Sequence, residues 1–193
     1  MEVQLNNLKL VKNKNARHLS SFFAKHHYLK SLARGCPDVF ELVDMTTGEI
    51  VGAAQVGIPA TRHISKDTHK EIRRFVLIPG VAKNTASYFI SRIVKSIKQD
   101  YPNITSILTY ADPDAGHQGT IYLASNFKFM GQGKPGQKVV TLDGKTKLHL
   151  RTAYNKNVGV SFNRRKLNDT LEKVGYKCMK TAGKLKFEME IRK

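Results

Sequence analysis

The chain has 193 residues, of which 40% are hydrophobic and 25% are charged, a composition typical of one globular domain. Its 33 Lys and Arg residues outnumber its 15 Asp and Glu residues, and the net charge of +18 is spread along the sequence. Such a balance favours a polyanionic partner, nucleic acid above all. No apolar run approaches the roughly 20 residues that span a bilayer, and the first residues lack a signal peptide, so we expect a cytoplasmic protein without a membrane partner.

The first half of the chain predicts one helix, a hairpin and a strand. Apolar residues at helical spacing indicate a helix from Ala16 to about Ser31, with His26 and His27 near its apolar face. Two β-rich runs around MTTG predict a hairpin from about Val39 to Ile58, in which Gly48 serves the turn. The run from Glu71 to Pro79 predicts another strand.

The cleanest helical stripe follows the segment PGVAKN. It consists of Ala86, Phe89, Ile90, Ile93, Val94 and Ile97, with Asn84 or Thr85 as the N-cap. Pro102 ends this helix, and a strand is predicted from Ile104 to Ala111. A short helix then begins in GTIYLASNF, and Lys128 to Met130 starts a further strand.

The C-terminal part predicts an added hairpin, a helix and strands. KVVTL and KLHLRT flank the turn DGKT, FNRRKLNDTLEKVG has helical spacing, and KLKFEMEI alternates like a half-buried strand. Together the elements predict a mixed α/β sheet, mostly antiparallel and flanked by helices. We expect one domain over residues 1–193, with 134–193 as a basic extension of it.

The two cysteines, Cys36 and Cys178, are far apart and form no CxxC pair, so no disulfide framework or zinc-finger spacing is present. Cys36 follows two histidines, which leaves a ligand or nucleophile role open, but a lone thiol is more often a small packed side chain.

The loop before the second helix is a candidate anion site. Backbone amides at a helix N-terminus, with Lys83, Ser87 and Arg74 nearby, suit a pyrophosphate, although a plain capped helix start explains the same residues. The order of elements over about residues 10–131 resembles the GNAT acyl-CoA transferases. The resemblance implies that Val76, Leu77, Lys83, Asn84 and Ser87 bind acetyl-CoA, with Lys83 and Asn84 in place of the usual loop glycines.

A narrower resemblance rests on the segments HHY, EIRRFVL, KNTAS and YADPDAGHQGTIYLASNFKFMG. These segments are similar to the Mom-type DNA modification proteins of bacteriophage Mu and its relatives. The resemblance implies a phage-encoded or prophage-encoded enzyme that uses acetyl-CoA to install a methylcarbamoyl group on adenine N6 in DNA, which blocks host restriction. It also implies an iron ion.

The same resemblance assigns roles to individual residues. It places metal ligands at His27, Tyr28 and Asp112, with His26 an alternative to His27. It places acetyl-CoA contacts at Arg74, for which Arg73 competes, and at Ser87. Tyr122 falls on the tyrosine of the following helix, and Asp112, Tyr122 and His117 are the candidate catalytic residues. Taken singly, these residue types also suit a turn or a core.

Adenine N6 is a weak nucleophile, so its acylation needs close positioning, a proton acceptor and a donor to the thioester oxygen. Asp112 is a candidate base and Tyr122 a candidate acid for the leaving thiolate. Double-stranded DNA hides the N6 edge, so we expect a flipped adenine and phosphate contacts from Arg164, Arg165 and Lys166.

Two other functions suit parts of the pattern. A GNAT enzyme that acetylates a protein or small amine explains the acyl-CoA features but does not need a charge of +18. A noncatalytic nucleic-acid-binding module explains the charge and makes the Asp112 segment a simple turn.

Overall fold

A computed structural model describes residues 4–141, 147–149 and 175–191. The strands are β1 Leu8–Asn13, β2 Asp38–Asp44, β3 Ile50–Gly57, β4 His69–Leu77, β5 Ser106–Ala111, β6 Lys128–Gln132, β7 Gly136–Thr141, β8 Lys147–His149, β9 Tyr176–Thr181 and β10 Leu185–Glu190. The helices are α1 Ser20–His26, α2 Thr85–Asp100 and α3 Thr120–Leu123. These elements confirm the expected mixed α/β class.

The described residues divide into two compact units. One lies within residues 1–111, 117–131 and 185–193, and the other within 112–116 and 132–184. A seven-stranded sheet has the order β1-β2-β3-β4-β5-β10-β6, and a three-stranded sheet has the order β8-β7-β9. The prediction of a single domain over residues 1–193 stays a prediction.

The large sheet is antiparallel from β1 to β4 and again between β5 and β10, whereas β4 and β5 run parallel. Helix α2 packs on one face of the sheet, where Phe89, Ile93 and Ile97 meet residues such as Phe40 and Ile107. The predicted stripe of α2 is thus confirmed. Tyr101 follows the helix, and Pro102, which lacks a backbone N–H, comes directly after it.

The opposite face of the sheet is covered by α1. Leu19 and Phe23 are fully buried against Val39, Ala53 and Val76. Only seven residues, Ser20–His26, are α-helical, after a 3₁₀ turn at Arg17–Leu19, so the helix is shorter than predicted. His27 has extended backbone angles, and the segment that follows is hydrogen bonded to side chains of β3 and β4.

The hairpin of β2 and β3 is confirmed, and Gly48 has the expected left-handed backbone with a φ of 74°. β1 was not predicted, although Leu8 and Leu10 alternate with lysines as a half-buried strand requires. β7 pairs antiparallel with β8, as the expected C-terminal hairpin requires. The helix predicted in FNRRKLNDTLEKVG lies outside the described residues.

A buried ionic network joins β1, β2, β4 and the residue after α2. Asp38 accepts hydrogen bonds from Tyr101 at 2.7 Å and Lys70 at 3.2 Å, and pairs with Lys12 at 3.0 Å. Burial alone opposes ionisation of Asp38, but these donors lower the pKa of its carboxyl. Burial and the hydrogen bond to Asp38 raise the pKa of Tyr101 to about 12. The network is satisfied internally, which is typical of a structural role.

No helix among the described residues is both long and apolar enough to cross a membrane.

Candidate acyl-transfer site

The parallel strands β4 and β5 separate partway along their length. They pair from His69 with Ser106 to Ile72 with Thr109, and this pairing covers only four residues of each strand. β4 continues to Leu77, beyond the last pair. Backbone amides at a strand edge that has no neighbouring strand can bind a ligand. The separation therefore leaves backbone groups of β4 available to bind an extended substrate.

A β-bulge lies at the point of separation. Gln55 of β3 pairs with Arg74, but Val56 pairs with Ile72, so Arg73 is an inserted residue in β4. Bulges redirect strands and side chains, and they are frequent next to active sites. Here the bulge coincides with the end of pairing between β4 and β5.

The segment after α1 is fastened to this bulge by hydrogen bonds between its backbone and side chains of β3 and β4. Arg74 Nε donates to the Ser31 carbonyl at 3.1 Å, and Arg73 donates to the Arg34 carbonyl at 2.7 Å. Gln55 Oε1 accepts from the Ala33 amide at 2.7 Å. The sequence signal for this contact is Gln55 itself, a polar residue inside an otherwise apolar strand.

Gly57 allows the same segment to approach β3 closely. A Cβ atom at this position would lie 2.4 Å from the Gly35 carbonyl oxygen and 3.0 Å from the sulfur of Cys36. Burial raises the pKa of the Cys36 thiol. A raised pKa keeps the thiol protonated at neutral pH, which is typical of a packing cysteine and not of a nucleophile.

Three of the predicted site residues come together beside Arg74. The His27 and Tyr28 rings stack with centroids 4.7 Å apart, and the His117 ring meets Tyr28 edge to face at 5.0 Å. His27 is only 7% exposed, whereas Tyr28 is 41% exposed. We call these three rings, together with the neighbouring Arg74 side chain, the aromatic cluster.

The electrostatics of the aromatic cluster keep His27 neutral. Burial, together with the nearby Arg74 guanidinium and His117, lowers the pKa of His27 to about 4. Its Nδ1 atom accepts a hydrogen bond from the Leu29 amide at 3.1 Å, which places the proton of the neutral ring on Nε2. The ring is therefore fixed as an uncharged element of the stack.

This arrangement does not fit the expected iron site. A metal-binding imidazole offers an unprotonated nitrogen to the cation, but in His27 one nitrogen already accepts a hydrogen bond and a guanidinium lies nearby. Across residues 4–141, 147–149 and 175–191, no group of three or more His, Cys, Asp or Glu side chains is placed to hold a metal ion.

Tyr122 lies at the end of the β4–β5 pairing. It is 8% exposed, packs against Phe127 and Phe187, and lies next to the side chain of Thr109, the last β5 residue paired with β4. Burial raises the pKa of its phenol. Gly119, with a φ of 77°, is the N-cap residue of α3, and a Cβ there would lie 2.1 Å from the Phe187 ring. Tyr122 is thus a protonated phenol at the strand separation.

Asp112 directly follows β5 and belongs to the second unit. It is 4% exposed, and its Oδ1 accepts the Asp114 amide at 3.2 Å, so it caps the 3₁₀ turn Pro113–Ala115. Asp114 in turn accepts the Ala182 amide at 3.2 Å within the same unit. Asp112 therefore stabilises a turn, and its catalytic role stays a prediction.

The predicted phosphate loop leads from β4 into α2. Val76 is buried, Leu77 and Ser87 are half-buried, and Lys83 and Asn84 are exposed. Asn84 has the N-cap position with a left-handed φ of 69°, but its side chain makes no cap hydrogen bond. The first amides of a helix have no acceptor within the helix, so this end of α2 suits an anion. Arg164, Arg165 and Lys166 lie outside the described residues.

The fold is that of the GNAT acetyltransferases. A spermidine N-acetyltransferase from Vibrio cholerae superposes with a TM-score of 0.53 at 10% identity, over 96% of this chain and 94% of that chain. A second structure, a spermidine/spermine N-acetyltransferase from Vibrio cholerae, has a TM-score of 0.51 at 10% identity, over 96% of this chain and 93% of that one. The GNAT-like architecture expected from the sequence is confirmed.

Residues 7–185 match the Mom protein family, and the chain belongs to that family. One curated relative, a methylcarbamoylase of Escherichia phage Mu, is 35% identical over 63 residues. This match covers 33% of the present chain and 26% of the relative, so it spans about a quarter of the relative's length.

Proposed function

We propose that this chain is a phage DNA modification enzyme that uses acetyl-CoA to convert adenine in DNA to N6-methylcarbamoyladenine, which protects the DNA from host restriction. The observation that supports this proposal most is membership of the Mom family over residues 7–185, combined with a strand separation suited to an acyl-CoA.

The acetyl-CoA part of the proposal rests on β4 and α2. Backbone amides near Val76 and Leu77, on β4 beyond Ile72, would hold the thioester and polarise its carbonyl. The N-terminus of α2, near Lys83 and Ser87, would hold the pyrophosphate, because helix amides and the helix dipole favour negative charge.

Acyl transfer requires movement of two protons. The acceptor nitrogen loses one as it attacks the acyl carbon, and the thiolate gains one as the carbon–sulfur bond breaks. Tyr122 is the proton donor, since its buried phenol is protonated at the strand separation. Asp112 is the acceptor. An acetyl group contains no nitrogen, and insertion of an NH group between its carbonyl and methyl carbons is a two-electron oxidation. The complete methylcarbamoyl product therefore also requires a nitrogen donor at the oxidation level of hydroxylamine, which leaves as water, or an amine together with a separate two-electron oxidant.

DNA is the partner that the charge of +18 favours. A target adenine leaves the duplex to reach the site, and Arg164, Arg165 and Lys166 hold backbone phosphates. Each lost phosphate contact reduces the slope of log K against log salt by about 0.9, so neutralising all three residues reduces it by about 3. Anisotropy titrations of a labelled duplex across salt concentrations measure this slope.

The deciding experiment is mass spectrometry of nucleosides from plasmid DNA of bacteria that express the chain. We expect a modified adenine that is absent from cells with an empty vector. Unmodified DNA together with acetyl-CoA binding in calorimetry supports an acetyltransferase of proteins or small amines instead. Unmodified DNA without acetyl-CoA binding supports a noncatalytic nucleic-acid-binding module.

A further inference from the structure

In the aromatic cluster, part of the ring surface of Tyr28 and His117 is exposed to solvent. Tyr28 is 41% exposed and His117 is exposed, while His27 supports Tyr28 from within the fold. His27 is itself held in place. Its ring centroid lies 5.9 Å from that of Phe23 in the α1 core, and its Nδ1 atom accepts a hydrogen bond from the Leu29 amide. An exposed ring that its neighbours hold in place is well suited to stack against another planar group.

The chain segment that carries this ring is basic. Residues 14–37 contain no Asp or Glu. Their basic residues are Lys14, Arg17, Lys25, Lys30 and Arg34, together with three histidines. The Arg74 guanidinium is near enough to Tyr28 for the two side chains to interact electrostatically. The complementary ligand is therefore both planar and attached to an anionic backbone, a combination that describes a nucleotide within a nucleic acid.

We propose that the exposed surface of Tyr28 and His117 is a stacking platform for the acceptor base, and not part of a metal site. This inference rests on the proposed function and specifies how its nucleic-acid substrate is held. The platform needs the Tyr28 ring but not its hydroxyl, whereas a metal ligand would need the hydroxyl oxygen. The two roles therefore predict different outcomes for removal of that one atom.

The chain contains no tryptophan, so a single introduced indole is a specific reporter. In Tyr28→Trp, we expect a single-stranded oligonucleotide with one adenine among thymines to quench the indole emission as it binds. Leu29→Trp is the matched control, because Leu29 is the next residue and is equally exposed at 41%. We expect its emission to change much less at the same saturation, which anisotropy of the labelled oligonucleotide measures.

Substitutions test the same role without a reporter. Tyr28→Leu should weaken oligonucleotide binding about 5- to 100-fold, the range for loss of one stacked base. Tyr28→Phe should keep affinity within about 2-fold, since a phenyl ring has a similar stacking surface. Leu29→Ala should leave affinity unchanged. Nucleoside mass spectrometry on the same variants should follow the same order.

The two proposals can fail separately. If wild-type protein modifies plasmid adenine but the indole emission of Tyr28→Trp does not respond to a bound oligonucleotide, the platform is wrong and the proposed function stands. Equal losses in Tyr28→Phe and Tyr28→Leu also overturn the platform. If the wild-type chain neither binds the oligonucleotide nor modifies plasmid DNA, the proposed function fails and the platform with it.

Discussion

The Thr109 hydroxyl donates a hydrogen bond to the backbone carbonyl of Ile72 at 3.3 Å, and these two residues form the last pair before β4 and β5 separate. Tyr122 lies next to the same Thr109 side chain. The end of strand pairing, where a ligand can reach the edge of β4, is thereby linked to a buried phenol whose pKa is raised.

Tyr122→Phe tests whether this phenol is an acid. Loss of a general acid lowers the rate by about 100-fold or more, whereas loss of one buried hydrogen bond costs only about 1 kcal/mol of stability. We expect adenine modification to fall steeply while the melting temperature changes by a few degrees. Tyr88→Phe is the control, because it removes a hydroxyl that donates to the Leu8 carbonyl at 3.0 Å. Normal modification by Tyr122→Phe would assign this tyrosine to the core alone.

Ser87→Ala is expected to weaken acetyl-CoA binding about 3- to 30-fold, because a hydroxyl in the first turn of α2 can donate to a phosphate there. Calorimetry measures the affinity, and DNA binding should be unchanged. Ser91→Ala is the matched control, since Ser91 is one turn further along α2 and donates to the Tyr88 carbonyl. Equal affinities for the two variants would remove Ser87 from the site.

Arg74→Ala is also expected to weaken acetyl-CoA binding, but its effect is broader. Arg74 donates to the Ser31 carbonyl, so its loss loosens the segment that bears His27 and Tyr28. We expect faster amide hydrogen exchange in residues 27–34 of this variant and not in those of Ser87→Ala. Unchanged exchange would show that the hydrogen bond does not hold the segment.

Asp112→Asn separates the turn from the chemistry. The Asn side chain keeps an oxygen that can accept the Asp114 amide, so the 3₁₀ turn should survive, but it lacks the charge and basicity of a carboxylate. We expect a near-normal melting temperature and loss of adenine modification in nucleoside mass spectrometry. A destabilised variant with wild-type modification per folded molecule would leave Asp112 as a turn residue only.

The lowered pKa of His27 predicts acid sensitivity. Because its pKa falls from 6.5 to about 4 on folding, the unfolded chain binds the proton more readily, and stability is lost as pH falls from about 6.5 to 4. The loss attributable to His27 is about 2 to 3 kcal/mol. Urea unfolding of wild type and His27→Gln at pH 7 and pH 4.5 measures it. A pH dependence that is the same in both proteins would contradict the assignment.

The sequence by itself determined the main elements of the sheet and its second helix. The α2 stripe and the β2–β3 hairpin follow from local periodicity and from one turn glycine, Gly48, because side chains of one helix or strand repeat at fixed intervals. The motifs in EIRRFVL, KNTAS and YADPDAGHQGTIY also indicate the family from the sequence alone. β1 was missed because its short alternation of leucine and lysine is a weak signal without its partner strand.

The tertiary structure decided which of these residues meet. His27 lies ninety residues before His117, and only the fold brings both rings to Tyr28. Helical spacing placed His27 on a helix, but α1 ends at His26, because Arg74 and Gln55 hold the following segment against the sheet. The bulge at Arg73, the separation of β4 from β5, and the neutral state of His27 depend on strand register and burial, which arise from contacts between distant segments and have no local sequence signature.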